Sequence, residues 1–307
     1  MLYLGLDTSN YTTSAAVYDS ETGQVYMAGK LLPVKPGELG VRQSDALFHH
    51  TVQLPGVVAE AMGVRENIAA VGVSSRPRNI EGSYMPCFLA GVTAAEILGS
   101  VSKIPVHKTS HQVGHILAAL YSVGRHDLVN TKFNALHISG GTTDMLLCTP
   151  DEDEIIRCEI VAASADLKAG QLVDRVGVML GLKFPCGPEL EKLATGGDSL
   201  IKIDVPTKNG NPCFSGAENK CRKMLEDNVP PSIIAHYALE YIETALMKMI
   251  AFHASCDTIV FAGGVMSNRM IRESLEKMGR EKLFAAPGYS SDNAVGAAIY
   301  AYLKETK

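Results

Sequence analysis

The chain has 307 residues, 46% hydrophobic and 20% charged, which is the balance of a soluble globular protein with room for two domains of ordinary size. A net charge of −5 disfavours a freestanding nucleic-acid binder, because phosphate contacts need clustered Lys and Arg, although a local basic patch or a partner that supplies one is compatible with it. No window approaches the roughly 18–20 apolar residues of a membrane span, and seven cysteines without CxxC spacing point to reduced thiols in a cytoplasmic protein, not to a disulfide framework or a zinc knuckle.

The opening "MLYLGLDTSN" reads as a first β-strand and not as a signal peptide. Residues 2–32 are predicted to form a β-meander with a tight turn at 20–23. Asp7, Thr8 and Ser9 sit where its first strand runs out. A Gly- and Pro-rich loop leads to a predicted helix over 44–62 with Ser44 as N-cap. A strand over 68–75, the loop "SRPRNIEGSYMP", a small-residue helix over about 87–101 and a short strand around 104–107 follow. His111 and His115 stand four apart in a run with Val113, Ile116, Leu117 and Leu120. That run reads as an amphipathic helix with both imidazoles on one face.

The second half repeats the plan. "FNALHISGGTTDMLLCTPDEDEIIRCEIVAAS" is again strand, polar turn, strand, acidic turn, strand, and Ser139-Gly140-Gly141-Thr142 takes the place that Asp7-Thr8-Ser9-Asn10 holds in the first meander. A helix over 169–180, the "FPCGP" turn with a second helix, an irregular segment over 195–219 and a long helix over 231–255 starting at Pro231 come next. The strand of "TIVFAGGV" enters another helix, and the chain closes with strand, loop and a small-residue terminal helix. Two αβ halves, each opened by a three-strand meander, is the α/β plan of the actin/Hsp70/sugar-kinase type: two ribonuclease-H-like lobes with a nucleotide cleft between their strand tips. The expected division is 1–127 for the first lobe and 128–292 for the second, with 293–307 packing back on the first.

HxxxH at 111 and 115 is the i,i+4 ligand geometry of zinc and iron sites; the alternative is two half-buried helix histidines. Gln112 stands where a metalloprotease helix carries its Glu base, and an amide cannot take a proton, so proteolysis by that route is disfavoured. A third ligand could be His137 or Asp292, each unremarkable by itself. "ISGGTTD" reads as a phosphate tip, since glycines let backbone N–H groups approach an anion closely, or as an ordinary hairpin turn. "VFAGGVMSN" would let a base or ribose lie against bare backbone near a helix N-terminus, or is a plain strand-to-helix turn. Asp174 either turns toward the cleft or forms a surface pair with Arg175 or Arg222. Gly187 is free to approach a ligand, while Cys186 beside it reads as inert. His49, His50 and the acidic run 151–154 read as solvated surface.

Taken in order, "LGLDTSNYTTSAAVYD", "IPVHKTSHQVGHILA", "LHISGGTTDML", "GQLVDRVGVMLGLKFPCGP", "CFSGAENK", "VFAGGVMSNRMIR" and "SSDNAVGAA" resemble the TsaD/Gcp family over nearly the whole length. These are the tRNA threonylcarbamoyladenosine transferases, once labelled O-sialoglycoprotein endopeptidases. The resemblance implies transfer of threonylcarbamoyl from threonylcarbamoyl-adenylate to N6 of adenosine 37 in tRNA. It implies a divalent iron or zinc ion on His111, His115 and Asp292, with His137 as a fourth ligand where archaeal-type relatives carry Tyr, and Mg as a further candidate. Donor or nucleotide contacts carry over to His137, Ile138, Ser139, Gly140, Gly141, Asp174, Gly187 and Asn268. Partner proteins of the same pathway are implied, with tRNA engaged through the complex. The family's first loop reads ETSCDET, and here Tyr11 and Thr12 stand in its two acidic places; the Gly-Pro-Gly loop is replaced by "SSRPRNIEGSYMP", and the Lys of "FSGLKT" becomes Glu218. These departures suit a divergent paralogue.

Three functions therefore stand side by side: a metal-dependent transferase on tRNA or a related acceptor, a non-catalytic nucleotide- and metal-binding scaffold, and an ATP-dependent small-molecule kinase. Asp7 and Asp174 are the candidate catalytic carboxylates, with Asp144 a further one for the kinase. Retention of His111, His115 and Asp292 favours the first two.

Overall fold

The computed structural model describes residues 1–9, 11–33, 41–198, 202–290 and 293–307. In chain order the elements begin with β1 (Leu2–Asp7), β2 (Thr12–Asp19), β3 (Val25–Leu31), α1 (Gln43–Met62), β4 (Ile68–Arg76), α2 (Phe88–Ser102), β5 (Val106–Ser110) and α3 (His111–Ser122). Next come β6 (Phe133–Ile138), β7 (Thr143–Asp151), β8 (Ile155–Ala163), α4 (Ala169–Met179), α5 (Gly187–Ala194), the short β9 (Thr207–Lys208) and β10 (Asn211–Pro212), and α6 (Ser215–Glu226). The chain ends with α7 (Pro231–His253), β11 (Thr258–Ala262), α8 (Arg269–Leu275), β12 (Glu281–Phe284), α9 (Pro287–Ser290) and α10 (Val295–Thr306).

Two five-stranded sheets run β3-β2-β1-β4-β5 and β8-β7-β6-β11-β12. In the first, β1 pairs antiparallel with β2 and parallel with β4. In the second, β6 pairs antiparallel with β7 and parallel with β11. The same meander followed by two parallel strands thus occurs twice, which is the two-lobed arrangement expected from the repeated sequence plan. By contacts the chain divides into one unit of Met1–Thr131, Thr149–Cys158 and Ser291–Lys307, and a second of Lys132–Cys148 and Glu159–Ser290.

In the first unit, strand alternation sends side chains to two different coverings. Leu4, Leu6, Val71 and Val73 pack with Leu54 and Val57 of α1 and Ala95 of α2. The opposite face is built from Gly5 and Gly72, where an added Cβ would overlap the carbonyl oxygens of Ala294 and Ala297. Only bare backbone lets α10 lie that close. The other unit has its own core, in which Leu136, Ile138 and Phe261 pack against Ile242, Leu246 and Met249 of α7 and Leu172 and Val176 of α4.

Several expectations change. Arg42, in extended backbone, precedes α1, and the Ser44 hydroxyl turns to Asp45 without capping the helix. β5 lies later than 104–107, and α6 begins inside the segment read as irregular and runs past its end to Glu226. α3 is not amphipathic: every residue from 111 to 120 is buried, because α10 covers it, with Gly114 and Gly296 meeting backbone to backbone. His50 is fully buried with Nδ1 2.8 Å from the Thr13 hydroxyl, which donates to Gln53. The acidic turn is docked, too. Glu154 receives Arg76 at 2.8 Å and Asn79 at 3.2 Å, and Tyr300 and Lys304 donate to the Asp153 carbonyl.

Candidate functional site

Within the first unit, three elements converge on one carboxylate. β1 ends at Asp7, β4 supplies Ser74, and α3 opens with His111. Ser110 starts that helix by accepting the Val113 N–H on its hydroxyl at 3.2 Å, a local cap that fixes the first turn. Asp7 is 1% exposed. Its Oδ1 accepts the Ser9 N–H at 2.9 Å, and its Oδ2 accepts the Ser74 hydroxyl at 2.5 Å and His111 Nδ1 at 2.9 Å. Burial alone would raise the Asp7 carboxyl, but the His111 charge and the hydrogen bonds from His111, Ser74 and Ser9 outweigh it and hold the carboxyl below its ordinary range.

The spacing of four brings the second imidazole onto the first. His115 Nε2 lies 2.9 Å from His111 Nε2, and the Ser9 hydroxyl is 3.5 Å from the same His111 nitrogen. Two imidazole nitrogens within hydrogen-bond distance of each other, one ring held from behind by a carboxylate, are donors of the type that divalent iron and zinc take. They supply two ligands. Among the described residues no group of three or more His, Cys, Asp or Glu is placed to hold a metal ion. Asp292, the expected third ligand, lies outside the described residues. The first loop is tied down by Thr8, which donates to the Cys87 carbonyl at 3.0 Å and accepts the Gly91 N–H at 3.2 Å. Burial, with Asp7 nearby, pushes the Cys87 thiol up to about 11, so it stays protonated.

In the second unit the tip after β6 is shaped by backbone. Gly263 has φ +98°, and a Cβ there would overlap the Ile138 carbonyl; a Cβ on Gly170 would come within 2.5 Å of the Ser139 carbonyl oxygen. Both glycines press on residues 138–140, and the Thr143 hydroxyl accepts the Ala169 N–H at 2.8 Å to anchor the start of α4. Ser139 N–H closes the turn onto the Thr142 carbonyl at 2.8 Å. Gly140 and Gly141 are exposed, and a Cβ on either would meet nothing within 4 Å. An anion can therefore reach their backbone.

The remaining expected residues divide by role. His137 is buried opposite Asp144 in the β6–β7 ladder. Ile138 is fully buried, so only its backbone is available to a ligand. Asp174 is half-buried and its Oδ1 accepts the Cys186 N–H at 2.9 Å. Burial raises its carboxyl, only partly offset by that bond. The surface pair falls elsewhere: Arg175 and Arg222 both bind Glu218, at 3.0 and 3.2 Å. Cys186 is buried against Gly177, with its thiol raised by burial first and by Asp174 second, consistent with an inert group. Gly187 opens α5 with open space beside it. Asn268 caps α8, its Oδ1 accepting the Ile271 N–H at 3.1 Å. Ser74 and Gly170 are not among the expected site residues, and Ser9 is expected at the strand tip without a role. Gly170, within "KAGQLVD", carries a local signal; Ser74 carries none.

A family model described as TsaD, tRNA N6-adenosine threonylcarbamoyltransferase, matches residues 33–299. The chain belongs to the TsaD family. Among TsaD relatives, the tRNA N6-adenosine threonylcarbamoyltransferase of Thermosipho africanus is 30% identical, over 98% of this chain and 94% of that protein. A probable bifunctional tRNA threonylcarbamoyladenosine biosynthesis protein of Thermoplasma volcanium is 27% identical over 92% of this chain, which spans 51% of that longer protein. Solved structures place the TsaD chain in the two-lobed fold class. Component A of the (R)-2-hydroxyglutaryl-CoA dehydratase of Acidaminococcus fermentans superposes with a TM-score of 0.60 at 17% identity, over 100% of both chains. A ROK family glucokinase from Streptomyces griseus gives 0.54 at 14% identity, over 99% of this chain and 100% of that one. At such identities the likeness is one of fold. No helix among the described residues of this TsaD chain is long and apolar enough to cross a membrane.

Proposed function

We propose that this chain transfers threonylcarbamoyl from threonylcarbamoyl-adenylate to N6 of adenosine 37 in tRNA, with a divalent iron or zinc ion bound by His111 and His115. The observation that carries the reading is the 2.9 Å convergence of the two Nε2 atoms with Asp7 behind His111, in a chain whose family match spans both histidines. Asp292 is assigned as the third ligand and His137 as a fourth. When bound, the ion acts as a Lewis acid on the oxygens of the donor. The exposed backbone of Gly140 and Gly141 receives the adenylate phosphate, the bare strand end at Gly263 and Gly264 admits the nucleoside, and Asp174, fixed through Oδ1 by Cys186, offers Oδ2 to a hydroxyl of the nucleotide. Pathway partners bring the tRNA, since the chain's own charge is −5.

The test is to express the chain in cells depleted of their own threonylcarbamoyl transferase and to analyse tRNA nucleosides by mass spectrometry. Threonylcarbamoyladenosine should return, and should be lost again with His111→Ala/His115→Ala. If the nucleoside stays absent there and also in a purified reaction given threonylcarbamoyl-adenylate and the pathway proteins from the same source, the transferase reading falls and the scaffold reading replaces it.

A further inference from the structure

Asp7 ends β1 at the edge of the first loop, where a reacting carboxylate is expected, yet its surroundings are those of a group that works through a neighbour. It is 1% exposed, and three donors occupy its oxygens: Ser9 N–H at 2.9 Å on Oδ1, with the Ser74 hydroxyl at 2.5 Å and His111 Nδ1 at 2.9 Å on Oδ2. An ionised carboxylate only accepts, so the hydrogen between Asp7 and His111 belongs to Nδ1 of the imidazole. With that hydrogen kept on Nδ1, the proton His111 gives up to bind a cation is the one on Nε2, which places the ligating lone pair on the atom 2.9 Å from His115 Nε2. Ser74 and Ser9 fix the carboxylate, the carboxylate fixes the ring, and the ring is thereby presented in the one tautomer that can donate its Nε2 to a cation. Carboxylates behind ligating histidines act this way in metal sites generally, raising ligand basicity and setting ring orientation.

We infer that Asp7 is a positioning residue: with Ser74 it holds His111 in the Nδ1–H tautomer for divalent-metal binding, and it does not itself meet substrate. The inference rests on the reading of His111 and His115 as a metal pair, and it deepens that reading by assigning what makes the pair competent.

The experiment titrates the metal-free full-length protein with Zn²⁺ against a chromophoric chelator and with Co²⁺ followed by its visible absorption. Variants are Asp7→Asn, Asp7→Glu, Ser74→Ala and His111→Ala/His115→Ala. Circular dichroism and thermal midpoints monitor the fold, and ¹⁵N shifts of the imidazole rings report the tautomer of metal-free His111. Asp7→Asn is expected to keep the fold and weaken Zn²⁺ binding by about 10–100-fold, to alter the Co²⁺ spectrum and to lose the pure Nδ1–H signature. Ser74→Ala should move in the same direction by less, and Asp7→Glu, which keeps a carboxylate, should recover most of the affinity. Equal affinity, equal Co²⁺ spectrum and an unchanged tautomer in Asp7→Asn would overturn the inference while leaving the metal pair standing. Equal binding by wild type and the double histidine variant, or none by wild type, would overturn both. Loss of fold in Asp7→Asn leaves Ser74→Ala and the wild-type tautomer as the deciding measurements: unaltered binding in the first, or an Nε2–H ring in the second, sinks the assignment.

Discussion

Gly263 combines φ +98° with a backbone contact to Ile138 that leaves no room for a methyl group. Gly263→Ala is expected to cost about 1–3 kcal/mol for a non-glycine residue held in sparsely populated backbone space, with overpacking added. Urea unfolding would measure it. Gly141→Ala makes the contrast, since nothing lies within 4 Å of its added Cβ. Its stability should stay within about 0.5 kcal/mol of wild type, and calorimetry with a non-hydrolysable adenylate should show weaker binding. If both variants lost stability alike, the packing of the tip would be wrong. At this scale, what could be read from sequence depended on distance along the chain. His111 and His115 are visible because four residues is one helical turn. The role of Asp7 is not visible, because its partner is 104 residues away. Asn268 lies in a motif that suggests a ligand contact, and its side-chain oxygen also caps the helix that follows.

Helices announce themselves by periodicity and caps, and both signals failed where the partner was remote. α6 is polar along most of "SGAENKCRKMLE" and was hidden; its N-terminus is held by Asp166, whose Oδ1 accepts the Phe214 N–H at 2.7 Å and whose Oδ2 accepts both the N–H and the hydroxyl of Ser215, 49 residues downstream. Burial pushes the Asp166 carboxyl up, but the bonds from Ser215, Phe214 and Leu167 outweigh it and hold the carboxyl below its ordinary range. A carboxyl depressed in the folded state contributes stability that is complete above its unfolded pKa of about 3.9 and is lost as the pH falls through its folded value. Urea unfolding of wild type should therefore weaken progressively below about pH 4, and Asp166→Asn should be less stable at pH 6 with a flatter acid dependence. Equal acid slopes in both would remove Asp166 from the account. α3 fails in the opposite way: its apolar periodicity reads as one buried stripe, while α10 buries the other side as well. Gly296→Ala drives a methyl group into the Gly114 carbonyl and should cost about 1–3 kcal/mol, read as a lower thermal midpoint with weakened metal binding as α3 shifts.

The repeated order of meander and two parallel strands was legible across the whole molecule, since turn residues and apolar runs recur in the same sequence in both halves. The reach of one hairpin was not. Thr149–Cys158, the far end of a hairpin rooted in the second sheet, belongs by contact to the first unit, whereas the packing of the closing helix on that unit is part of the division expected from the sequence. No local composition marks such a swap; it depends on Arg76, Asn79, Tyr300 and Lys304 meeting the turn at 153–154. The terminal helix has the larger consequence. Gly5 and Gly72 are shaped to receive its backbone, and Val295, Ala297, Ala298, Ile299 and Tyr300 are buried by the contact. Removing residues 294–307 would leave a glycine-lined face on the first sheet and an uncovered side on α3, while the core around α7 and β11 includes no residue of α10. Hydrogen exchange with mass spectrometry on the truncated chain should show lost protection in β1, β4 and α3 and retained protection in β6, β11 and α7. Uniform loss across all six elements would mean that the two cores unfold as one cooperative body, and that α10 stabilises the entire chain and not only the unit it covers.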